Sequence, residues 1–150
     1  MSVELQSATT RQYCTFLLEG MLFGVEASRV QEVLRFQEIT AVPRAPRSVR
    51  GLLNLRGEIV TAIDLRRRLS LPDRVSARLP INVVLRDGTG AVSLLVDEIG
   101  DVIDVEPATF ERAPQTLQGA FRELVQAACQ LGDRLLLVLD IERAIAPASL

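Results

Sequence analysis

Residues 49–66, Val-Arg-Gly-Leu-Leu-Asn-Leu-Arg-Gly-Glu-Ile-Val-Thr-Ala-Ile-Asp-Leu-Arg, constrain the fold of this chain more than any other stretch. Leu52–Leu55 and Glu58–Ile63 read as two apolar strands joined at Arg56-Gly57, inside the tight turn Asn54-Leu55-Arg56-Gly57. Asp64 ends the second strand and caps a short helix through Leu69, since its carboxylate can accept from a first-turn N–H. No catalytic set lies here. A β-scaffold with one well-placed Arg points to a binding module.

A second copy of this junction occurs later. Ile59-Val60-Thr61-Ala62-Ile63-Asp64-Leu65 aligns with Leu135-Leu136-Leu137-Val138-Leu139-Asp140-Ile141. Each is an apolar strand, an Asp cap and a short helix, the second running from Ile141 to Ala146. Independent strand-to-helix junctions would look the same, because Asp is a favoured cap anywhere. Two similar small barrels side by side are the sharper reading.

The remaining chain supports strands at short spacing, which favours barrels over a βαβ sheet. Tyr13–Leu18 and Met21–Val25 form an opening hairpin around Glu19-Gly20. Residues 27–35 carry apolar side chains at Ala27, Val30, Val33 and Leu34, a helical spacing, with Ser28 and Gln31 placed as a capping box. Pro43 and Pro46 make 40–48 an ordered connector. Residues 73–80 are polar and mark a boundary. Ile81–Leu85 and Ala91–Val96 are strands around Asp87-Gly88-Thr89-Gly90. Gly100 marks a bulge before Val102–Val105. An irregular connection spans Pro107–Gly119. Phe121–Leu131 fits helix or strand, with a strand after a loop preferred. Leu135–Leu139 is a buried strand.

With 150 residues, 48% of them hydrophobic, the chain suits one domain or two intertwined barrels sharing a core. No apolar run approaches a membrane span, and the first residues lack the build of a signal peptide, so a cytoplasmic location without membrane insertion is expected. The net charge of −2 argues against a general nucleic-acid binder. All basic residues are Arg, which excludes a P-loop and Schiff-base chemistry. His is absent, which excludes His-dependent triads. Cys14 and Cys129 are the remaining soft ligands and make a poor zinc site, so buried free thiols are expected. No metal and no cofactor are expected.

Several side chains could carry binding. Arg56 is either an exposed turn residue or an Arg held by Glu32 and shown to a partner. The stripe Val30, Val33 and Leu34 is core or the edge of a groove. Arg66-Arg67-Arg68 reads as a solvated face, with an acidic docking partner as the alternative. Asp97, Glu98, Asp101 and Asp104 read as a solvated strand edge, since their spacing is not that of an EF-hand loop.

Taken in order, a set of segments resembles the CheW family of chemotaxis coupling proteins and the related regulatory domain of the kinase CheA. They are Phe16-Leu17-Leu18, Val30-Gln31-Glu32-Val33, Val42-Pro43-Arg44-Ala45-Pro46, Val49 to Gly57, Ile63-Asp64-Leu65-Arg66, Val96 to Val102, and Gly132-Asp133-Arg134-Leu135-Leu136. The resemblance runs from Tyr13 to Ala146. It implies an all-β fold of two packed five-stranded SH3-like barrels with short helices. The expected divisions are a flexible segment at 1–12, a first barrel at 13–72, a second at 80–139 and a C-terminal helix at 140–146. It further implies a non-enzymatic adaptor that couples chemoreceptors (methyl-accepting chemotaxis proteins) to CheA in a signalling array. The partners would be the receptor cytoplasmic tip and the CheA regulatory domain, with ring contacts to CheA or to a second copy. Carried over by position, Val30, Glu32, Arg56, Ile99 and Val102 would contact receptor, with Arg56 paired to Glu32. Val33, Leu34, Gly51 and Leu52 would lie on or near the kinase-facing surface. The alternatives are a regulator that binds kinase only and a small enzyme or ligand-binding barrel.

Overall fold

The structure, a computed structural model, describes residues 10–74, 78–88 and 90–148. The opening hairpin is β1 (Arg11–Leu18) and β2 (Met21–Glu26), turning at Glu19-Gly20 with both residues at positive φ. A 3₁₀ turn, Ala27–Arg29, leads into β3 (Val30–Leu34). The hairpin β4 (Val49–Leu55) and β5 (Glu58–Asp64) follows, then the short helix α1 (Leu65–Arg68). The next hairpin is β6 (Ile81–Asp87) with β7 (Gly90–Val96), and β8 (Glu98–Val105) comes directly after. The chain closes with α2 (Gly119–Leu124), β9 (Val125–Leu131), β10 (Arg134–Leu139) and α3 (Ile141–Ile145).

Ten strands make two five-stranded sheets, ordered β8-β1-β2-β10-β9 and β3-β6-β7-β5-β4. The expected two-barrel fold is present, but its division at residues 72 and 80 is not. The first sheet takes β1 and β2 from one end of the chain and β8–β10 from the other. The second is built entirely from β3–β7. Read position by position, β8, β9, β10, β1 and β2 match β3, β4, β5, β6 and β7, so one barrel is a circular permutation of the other. Each barrel has its parallel pair at the matching place, β2 with β10 and β5 with β7. Residues 1–9 of the expected flexible segment lie outside the described residues, whereas Arg11 and Gln12 already belong to β1.

Period-2 alternation builds the core. On β6, Val83 and Leu85 join a large cluster with Phe16 and Phe23 of the other sheet, while Val84 turns to a smaller cluster with Leu53, Leu55, Val60 and Leu95. On β10, Leu137 and Leu139 join the shared cluster, and Leu136 and Val138 turn to one with Tyr13 and Cys129. The barrels therefore share a core, and their central strands are buried on both faces. Asn82 and Ser93, both fully buried, satisfy each other in this interior: Ser93 Oγ donates to Asn82 Oδ1 at 2.7 Å.

The repeated caps are near copies. Asp64 has φ −79° and ψ 104° and accepts from the Arg67 N–H; Asp140 has φ −80° and ψ 101° and accepts from the Arg143 N–H. Asp140→Ala should cost about 1 kcal/mol, the usual worth of such a cap. Chemical denaturation checks this, and an unchanged midpoint would show the cap to be idle.

Two local expectations change, one helical and one a strand. Residues 30–34 form strand β3 rather than a helix, and the preceding 3₁₀ turn has Glu26 at its cap position with no side-chain cap bond, so Ser28 caps nothing. Pairing with β6 overrides the helical spacing, because an unpaired β6 edge would leave backbone groups unsatisfied. Phe121–Leu131 divides between α2 and β9 instead of forming one element. The bulge at Gly100 is present: Cys14 pairs with Val102 and Phe16 with Ile99, so two β8 residues face Thr15. Thr15 Oγ1 fills the turn by donating to the Asp101 carbonyl at 2.6 Å. Thr89 lies outside the described residues, and the β6–β7 pairing runs to Asp87 opposite Gly90.

Candidate functional site

The residues singled out above lie on the edge strands β3, β4 and β8, on the β4–β5 turn and on α1. Arg56 has φ 53° in the β4–β5 turn, next to Gly57, whose N–H donates to Asn54 Oδ1 at 2.8 Å. That side-chain bond stabilises the left-handed turn and projects Arg56 outward. Arg56 Nη2 donates to Glu32 Oε1 on β3, joining the turn to the edge strand. The expected pair therefore exists, although Glu32 reaches it from a strand.

Val30 is half-buried against the shared core, and Leu34 packs on the inner cluster of its own barrel. Val33 stands exposed on the same strand. Ile99 and Val102 lie on β8, at the edge of the other sheet, and are 41% and 57% exposed. Aliphatic side chains that open to water on an edge strand offer apolar area to a partner. Leu52 is half-buried, while Gly51 is buried with its Cα facing Thr40. Gly51 thus serves close backbone packing and presents no side chain. Arg56 and Glu32 are brought into contact; Ile99 and Val102 sit on the other barrel.

The Arg66-Arg67-Arg68 run is not a solvated face. Arg66 Nε and Nη2 donate to the two oxygens of Asp97 at 2.8 and 2.7 Å, and Nη1 donates to the Pro72 carbonyl. Glu19 lies 2.7 Å from Arg66 Nη2. Arg67 binds Asp73, and Arg68 donates to the Arg143 carbonyl. Asp97 also accepts from Arg74 and from the Glu19 N–H. Burial alone would raise the Asp97 carboxyl pKa, but these donors outweigh it and hold it below the usual range. The expected solvated acidic edge holds for Asp101 and Asp104, which are exposed, and is corrected for Asp97, a partly buried hub, while Glu98 pairs with Arg78 at 2.7 Å on the surface. Adjacent charges in sequence gave no hint of these partners, which come from residues 19 to 143.

Among the described residues no group of three or more His, Cys, Asp or Glu could hold a metal. Cys14 and Cys129 are free thiols, and burial pushes the Cys14 pKa up. Among the described residues no helix is long and apolar enough to cross a membrane.

Two fused barrels with exposed apolar edges and a tethered Arg turn define a scaffold that binds other proteins. The CheW-like domain family model matches residues 12–148, and the chain belongs to that family. It is similar to the chemotaxis protein CheW of Treponema pallidum, 29% identical over 143 residues, covering 93% of this chain and 84% of that one. The CheW of Bacillus subtilis is 28% identical over 140 residues, covering 93% and 88%. That of Klebsiella aerogenes is 27% identical over 136 residues, covering 91% and 82%. Among solved structures, the scaffolding protein TtCheW from Thermoanaerobacter tengcongensis matches with a TM-score of 0.78 at 24% identity, covering 87% of this chain and 88% of that one. The chain is thus a chemotaxis adaptor of the kind that couples receptors to the kinase CheA.

Proposed function

We propose that this adaptor takes the helical tip of a chemoreceptor on a composite surface of Val30, Glu32 and Arg56 from one barrel and Ile99 and Val102 from the other. A helix laid against exposed aliphatic edges with one charged anchor is a standard recognition mode. A second surface near Val33, Leu34 and Leu52 docks the regulatory domain of CheA, with ring contacts to CheA or a second copy. The adaptor works without catalysis, in the cytoplasm at the receptor array. The observation that carries this reading is the Arg56–Glu32 pair. It ties an exposed guanidinium to β3, the strand that carries Val30 and Val33. An exposed pair is worth only about 0–1 kcal/mol to the fold, so shaping a binding surface is its larger use.

The test is binding of purified protein to a receptor cytoplasmic fragment and, separately, to the CheA regulatory domain. Both should bind. Arg56→Glu faces Glu32 with a like charge and should weaken receptor binding about tenfold while changing stability by less than about 1 kcal/mol. Unchanged receptor affinity in a folded R56E protein would remove Arg56 from the surface.

A further inference from the structure

The chain passes between the barrels twice, and each passage is pinned by an ion pair from the repeated helix. At the β2–β3 passage, Arg29 Nη1 lies 2.8 Å from Glu142 Oε2 of α3, and its Nη2 donates to the Arg86 carbonyl of β6 at 3.0 Å. At the β7–β8 passage, Asp97 holds Arg66 of α1. Glu142 and Arg66 occupy the same place in the two repeats, two residues after the Asp cap. The passages also correspond, because β2 and β3 match β7 and β8 in the sheet orders. The two clamps are therefore one device with its charges exchanged: Arg on the helix and Asp on the passage, or Glu on the helix and Arg on the passage.

Their strengths differ. Arg66 and Asp97 are 13% and 14% exposed, whereas Arg29 and Glu142 are 32% and 69% exposed. The first is a fixed clamp and the second a solvent-accessible latch. Each stands immediately before a strand of the receptor surface. Arg29 precedes Val30, and Asp97 lies two residues before Ile99.

We propose that Arg29, through Glu142, and Asp97, through Arg66, are positioning residues that set β3 and β8 relative to each other, and so set the spacing of the two halves of the receptor surface. This rests on the receptor surface proposed above. Hydrogen exchange on the full chain tests it without a receptor. In Arg29→Glu, the β3 amides Val30–Leu34 should exchange about threefold faster, with β8 unchanged. Adding Glu142→Arg should restore them, since the swapped pair keeps the attraction. Unchanged β3 exchange in R29E overturns the proposal. So does failure of the swap to restore it, which would assign the effect to the Arg86 carbonyl contact alone. Binding of a receptor cytoplasmic fragment should follow the same order, with wild type and swap equal and R29E about threefold weaker. Altered exchange with unchanged binding also overturns it. A wild-type protein that binds no fragment refutes the receptor reading, while the exchange result still reports on the latch.

Discussion

Asp97→Asn should lower stability by about 3 kcal/mol, because it removes the negative charge shared by the partly buried Arg66 and Arg74 guanidinium groups and turns one accepting oxygen into an N–H donor that faces them. For a chain of 150 residues that is a fall of about 6–12 °C in Tm. The loss reaches beyond one bond. Asp97 joins α1, the Glu19 turn and the loop at Pro72–Arg74, and its own N–H donates to the Leu17 carbonyl at 3.1 Å. The pH dependence has a definite sign. A carboxyl whose folded pKa lies below its unfolded value stabilises the fold above the unfolded value, and that contribution is lost as pH falls through the folded one. The Asp97 contribution is therefore complete at neutral pH and disappears on acidification below about pH 4. Thermal melts between neutral and acid pH should show wild type losing Tm faster than D97N. Parallel curves would mean that the hub carries no such energy.

Gly51→Ala should be nearly as damaging, about 3 kcal/mol, by steric conflict rather than charge. Gly51 has φ +147°, and a Cβ there would sit 2.2 Å from the Thr40 carbonyl oxygen and 2.8 Å from Ile39 Cγ2. That same carbonyl accepts from the Leu52 N–H at 2.8 Å, in the bridge that fastens the connector after β3 onto β4. The backbone must separate there or the strand must bend. Gly57→Ala makes a useful comparison, because Gly57 also has positive φ but has nothing within 4 Å of the added carbon. Urea unfolding should show a much lower midpoint for G51A than for G57A, with unchanged slope. Equal midpoints would locate the cost in backbone φ and not in the contact with Thr40.

Much of this was legible from the sequence because it was written locally. The Asn-Leu-Arg-Gly turn, both Asp caps and the Gly100 bulge each depend on a few neighbouring residues. The Arg56–Glu32 pair is legible from the turn and from the need of residues 27–35 to pack back on this barrel, and the family resemblance points to the same pair. β3 reads as a helix because its half-buried positions are Val30, Glu32 and Leu34 while Val33 faces out, so its apolar residues do not follow the period-2 alternation that its burial does. Those apolar residues taken alone resemble a helical stripe. The arginine run misled for a different reason: a row of charges in sequence says nothing about acceptors 31 or 75 residues away. The barrel boundary was misplaced because the repeat was visible as two strand-to-helix junctions, while its permutation depends on which strands pair.

That permutation has a consequence for the order in which the protein can be made. Synthesis proceeds from the N-terminus at about 5–20 residues per second. The strands of the second sheet, β3–β7, leave the ribosome consecutively and can complete their barrel as a unit. β2 has β1 on one edge only; on the other, Leu22 pairs with Leu136, which emerges about 110 residues later, a delay of roughly 5–20 s. During that interval the first hairpin carries an open edge, Phe16 and Phe23 have only part of their final packing, and a nascent chain of this family is most exposed to pairing with the wrong strand.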